Sequence, residues 1–141
     1  MPISLSDAPP FKDRTVRVAE KIDCEIRNAQ NAVAAFKSEA THDSAHDVCF
    51  YVRAAAWEFF RGFNRQGELC TDNANELISS IEFADKLLTA AIGSELANDA
   101  LVPEWLESVR WHRRLVQATI ERDDEALDEL VAAEPRRAAP A

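Results

Sequence analysis

Residues 11–37 read FKDRTVRVAEKIDCEIRNAQNAVAAFK, and the spacing within them decides the fold class. Phe11, Val18, Ile22, Ile26, Ala29, Val33 and Phe36 recur at intervals of three, four and seven residues. At about 100° per residue these side chains cover an arc of only about 100°, the narrow seam with which a helix enters a bundle. Arg17, Glu20, Lys21, Asp23, Glu25 and Arg27 fall on the other faces, where their charges keep water. Asp7-Ala8-Pro9-Pro10 leads into the segment. Proline suits the entry, because the N–H it lacks would have no intrahelical partner in a first turn.

Outward from that helix, the chain has no proline between Pro10 and Pro103, and glycine only at 62, 67 and 93. Its 24 alanines outnumber the 21 Val, Ile and Thr residues together, and alanine loses no side-chain freedom in a helix while β-branched residues do. A sheet fold needs turn residues every ten positions or so, and they are missing. A second helix is predicted over 44–64, with Ser44 as N-cap, Asp47 in its first turn and Gly67 beyond its end. A third is predicted over 72–92, capped by Thr71 or Asn73 and closed at Gly93. One short turn should lie within 94–102, and a fourth helix should run from Pro103 to Glu121. Asp123 and Asp124 cap a short fifth helix over 125–133 that packs back through Leu127, Leu130 and Val131. The expected fold is all-α: an antiparallel helical bundle of four long helices plus a short C-terminal helix. Residues 1–134 are expected to form a single helical domain, and 135–141 a flexible tail.

Length and charge bound the function. A chain of 141 residues suits one domain with a core of its own. Its 47% hydrophobic content excludes a disordered acidic chain, despite a net charge of −9. No run approaches the roughly 20 apolar residues of a membrane span, and the N-terminus lacks the basic and apolar regions of a secretory signal. Cys24, Cys49 and Cys70 are odd in number and irregular in spacing. That argues against a disulfide framework and for a reducing, cytoplasmic location. Residues 1–65 hold nine basic and nine acidic side chains, whereas 66–141 hold seven and sixteen. The excess is either a solvated face or the complement of a basic partner surface. Direct nucleic-acid binding is not expected, since no basic stripe is present to neutralise phosphates.

No motif in the chain points to a reaction or carries a family resemblance. Phosphate-binding glycine loops, the G-x-S-x-G elbow and C-x-x-C are absent, as is the E-x-x-H pattern of di-iron bundles. One local cluster fits metal chemistry: His42, His46 and Cys49 follow i, i+4, i+7 spacing. On a helix they would offer three ligands of a zinc site with an open fourth position. The plainer reading is a polar helix start with a cysteine beside the core. His112 falls within the core arc of the fourth helix, either as a hydrogen-bonded core histidine or as a further ligand or general base. Cys70 precedes the third helix, whose dipole would favour its thiolate.

Aromatic placement carries the functional expectation. Six of the eleven aromatic residues lie between 50 and 63. Val48, Val52, Ala55, Phe59 and Phe63 suffice for the second helix's core face, yet Phe50 and Trp57 project away from it between Arg53 and Arg61. On the fourth helix Trp111, Leu115 and Ala118 make a similar second stripe beside Arg114 and Arg122. The stripes either cover each other, or lie under the fifth helix, or meet another chain. Tryptophan and arginine dominate binding hot spots. Phe50, Trp57, Trp111 and Leu115 are therefore expected to contact a second protein, with Arg53, Arg61 and Arg114 at the rim. A non-enzymatic adaptor, regulator or inhibitor of another protein results, without a cofactor; a partner with a basic surface and a homodimer are its special cases. The alternative is a metal-dependent bundle enzyme or metal sensor built on His42, His46 and Cys49.

Overall fold

The spacing of small and branched apolar residues is realised as five helices in the computed structural model, which describes residues 11–66 and 71–134, with side chains over 18–62 and 73–134. They are α1 (Phe11–Ser38), α2 (His42–Gln66), α3 (Thr71–Ile92), α4 (Val102–Glu121) and α5 (Asp124–Ala132). No strand occurs among the described residues. The bundle of four long helices and one short C-terminal helix is as expected. Cys70, the side chain of Phe63 and the tail 135–141 lie outside the described residues.

Cross-helix contacts fix the directions. Lys21 Nζ lies 3.7 Å from Glu58 Oε2, and Gly62 abuts Val18 and Ile22, so α1 and α2 are antiparallel. Arg110 donates to both carboxylate oxygens of Asp85 at 2.8 and 3.2 Å, and Arg113 to Glu82 at 3.2 Å. These contacts run α3 against α4. Asn73 Nδ2 donates to the Ala19 carbonyl at 3.3 Å, and Gln30 Nε2 to Ser80 Oγ at 3.3 Å. Helices α1 and α3 therefore point the same way. Consecutive helices alternate in direction, while α1 and α4 each pack against both α2 and α3, and α2 meets α3 across the diagonal.

The core runs along the facing seams. Ile22, Ile26, Ala29, Val33 and Phe36 of α1 meet Ala45, Val48, Val52, Ala55 and Phe59 of α2. Leu77, Ile81, Ala84 and Leu88 of α3 and Val102, Leu106, Val109 and Val116 of α4 complete it. Each buried Val, Leu, Ile or Phe contributes about 1.5–3 kcal/mol of apolar transfer free energy. Helix α4 buries a wider arc than the others, adding Trp111, His112, Leu115, Ala118 and Thr119, because α5 packs on it as well as α2 and α3.

Four helix starts differ from expectation, those of α3, α4 and α5 by a single residue. Helix α2 begins at His42, and Thr41 rather than Ser44 is its cap. Thr41 Oγ1 accepts from Ser44 N–H at 3.1 Å while Ser44 Oγ accepts from Thr41 N–H at 2.9 Å, a reciprocal box that satisfies two end donors at once. Helix α4 begins at Val102 with Pro103 in its first turn. At its other end Arg122 adopts φ 54°, and the N–H of Asp123 reaches the Ala118 carbonyl at 3.0 Å. The Asp123 side chain then accepts from Ala126 N–H at 3.1 Å and opens α5.

Candidate functional site

Because α2 and α4 run parallel, their N-terminal turns lie side by side, and a cluster of rings forms between them. Trp105, in the first turn of α4, stands at its centre. The His42 ring lies 4.9 Å from it and the His46 ring 5.4 Å, edge-on. His46 stacks at 6.4 Å on Phe50, which meets Tyr51 edge-to-face at 5.1 Å. Phe50 is 50% exposed and Leu101, just before α4, 45% exposed. The cluster is thus one aromatic surface open to solvent at the end of the bundle.

Asp99 anchors this surface. Its Oδ2 lies 2.6 Å from His42 Nδ1, and its Oδ1 accepts from Leu101 N–H at 3.0 Å. The bond from His42 lowers the Asp99 pKa below the ordinary carboxylate value, and the backbone donors at Leu101 and Val102 add to that. Through Asp99 the α3–α4 connection is tied to the start of α2.

The same bundle end is acidic. Segment 38–52 contains Glu39, Asp43 and Asp47, and segment 87–109 contains Glu95, Asp99, Glu104 and Glu107. Neither segment contains a lysine or arginine. All of these acids are exposed except Asp99, which is half-buried.

The residues expected to bind metal are diverted to other contacts. His42 and His46 do share a face, but they turn toward Trp105, and His46 Nδ1 lies 3.5 Å from Asp47 Oδ1. Cys49 is half-buried. Among the described residues no group of three His, Cys, Asp or Glu side chains could hold a metal ion. The expected ligand triad is corrected accordingly: ring stacking and the Asp99 bond orient the imidazoles.

The expected interface stripe divides. Phe50 belongs to the aromatic end. Arg53, Trp57 and Arg61 instead line an open groove of about 620 Å³ with Lys21, Glu58 and Glu134. There Arg53 Nη2 meets Glu134 Oε1 at 3.4 Å, and Arg61 Nη2 lies 3.8 Å from Glu58 Oε2. Trp111 is 3% exposed and Leu115 fully buried, so neither is available to a second chain. Their burial corrects the expectation: Trp57 covers Trp111 with ring centroids 5.9 Å apart, while Leu130, Ala126 and Ala133 flank it on the α5 side. Arg114 is exposed on the outer face of α4.

His112 is a core residue, 1% exposed. Its Nδ1–H donates to the Ser108 carbonyl at 2.6 Å. Burial lowers its pKa to about 4, against the bond to Ser108 and with the help of the Arg53 charge. It is the neutral tautomer at neutral pH. Sequence reasoning missed the part that Trp105, Asp99 and Leu101 play at this bundle end, although Trp105 also packs against the core. Their one signal was position: all three adjoin Pro103, where the chain turns into α4.

No protein-family model, curated protein or solved structure matches this chain. No helix among the described residues is long and apolar enough to cross a membrane.

Proposed function

We propose that this is a non-enzymatic, cytoplasmic interaction protein, an adaptor, regulator or inhibitor that binds another protein through the aromatic end of α2 and α4. The observation that carries the reading is Phe50. A phenylalanine half in water, stacked on rings that are themselves held by Trp105, is a preorganised anchor. Little side-chain entropy remains to be lost when a partner covers it. The odd number and irregular spacing of the three cysteines support the cytoplasmic location.

Affinity capture with the full chain, run beside Phe50→Ala, tests the reading. Covering the exposed half of Phe50 is worth roughly 0.75–1.5 kcal/mol, so the variant should hold its partner about three- to tenfold more weakly. Its helix content and melting should stay close to those of the parent. Sedimentation of the purified chain tests the case in which the partner is a second copy. Capture that is indifferent to Phe50→Ala would remove the aromatic end from the binding surface.

A further inference from the structure

We infer that the partner presents a basic segment to this bundle end, with an arginine or lysine side chain laid over the rings of Phe50 and Trp105. This inference rests on the interaction reading above and adds the chemistry of the partner.

Three observations converge on it. The exposed apolar surface here is aromatic, and the negative face of an aromatic ring attracts a cation in addition to offering apolar contact. The rim is acidic on the α2 and α4 sides, while Lys37 in the last turn of α1 lies over the Phe83 ring. Asp43 and Asp47 share the first two turns of α2 with His42 and His46, Glu104 and Glu107 share the first two turns of α4 with Trp105, and Glu39 and Glu95 lie on the two connections. No lysine or arginine of segments 38–52 and 87–109 competes for them. Helix dipoles explain acids in first turns, and so account for Asp43 and Glu104. They do not account for Glu39, Glu95 or Glu107.

On the sides of the bundle many acids meet a cation. Asp85 and Glu82 meet Arg110 and Arg113, Asp23 meets Arg27, and Glu134 meets Arg53. Residues 121–134 hold seven acidic side chains against Arg122 alone, but none of the exposed large hydrophobic residues lies there, whereas the bundle end pairs its acids with the exposed ring of Phe50. A second copy docking by the same end would oppose like charges, which is unfavourable. An acidic partner is excluded for the same reason. A basic segment gains from both the rings and the rim.

The test is an NMR titration of the full chain with a short peptide of alternating Arg and Gly, using a Glu-Gly peptide as control. Amide shifts should concentrate at 42–50 and 99–107 with the first peptide and be absent with the second. Phe50→Ala should weaken binding about tenfold, and Phe50→Leu, which keeps the bulk but not the ring face, should also weaken it. The pair Asp47→Asn with Glu104→Gln should weaken it about tenfold. The same charge change on α5, Asp128→Asn with Glu129→Gln, should alter it less than about twofold. If the α5 pair matters equally, the attraction is a diffuse field and the inference is overturned. Unchanged binding by both Phe50 variants, or shifts centred elsewhere, overturns it too. Where a captured protein depends on Phe50 but the Arg-Gly peptide does not bind, the interaction reading stands and this inference falls. Where the peptide binds as described and no captured protein depends on Phe50, the interaction reading falls, and the inference about its partner falls with it.

Discussion

His112 and the tryptophans show how the environment of a single residue sets its behaviour. His112 is buried with a pKa of about 4, below the ordinary value of 6.5. Above pH 6.5 it is neutral in both folded and unfolded chains and contributes no pH dependence. As pH falls below that, the unfolded chain takes up a proton that the folded one refuses, so stability drops until the folded group also titrates near 4. Urea unfolding should therefore show a loss of about 2 kcal/mol between pH 7 and pH 5 that His112→Phe removes. A slope unchanged by that substitution would place the titration elsewhere. Trp111 and Phe50 separate the internal from the external aromatics. Trp111→Ala empties a site covered by Trp57 and α5 and should cost about 3–5 kcal/mol in denaturant unfolding. Phe50→Ala, half exposed already, should cost less than about 1 kcal/mol.

Among the elements, helix existence and periodicity were legible, and the ends less so. The seam of α1 was read residue by residue, because a three- and four-residue repeat has one geometric meaning in a helix. The start of α2 was misplaced since Thr41 and Ser44 are both good caps, and the reciprocal pair of bonds decides between them. The approach of α1 to α2 could not be read at all. A Cβ on Gly62 would stand 2.7 Å from Val18 Cγ1 and 2.9 Å from Ile22 Cδ1, so this glycine sets how closely the two helices lie. Gly62→Ala improves helix propensity by about 1 kcal/mol but forces the packed seams apart, which costs about 1–3 kcal/mol. Net destabilisation is expected, read as a lower melting temperature. A variant that melts higher would show that the seam yields freely.

At the scale of the whole molecule, the arrangement of helices turns scattered residues into surfaces. Asp47 and Glu104 are distant in sequence, yet parallel packing of α2 on α4 brings the two helix starts that carry them to the same end of the bundle. Net charge by halves of the chain located the acid excess after residue 66, whereas the acidic bundle end draws on both halves, through Asp43 and Asp47 as well as Glu104 and Glu107. The sequence alone determined the helical class, the identity of most seam residues and the membership of Phe50 in an exposed set, because these follow from periodicity and side-chain chemistry along one element. Only the tertiary structure decided which second stripe was internal. Trp57 over Trp111, and α5 over α4, are matters of which helix faces which, and single-helix periodicity carries no information about the neighbour. The histidines make the same point. Their spacing was read correctly, but Trp105 and Asp99, which determine where the rings point, arrive from another part of the chain.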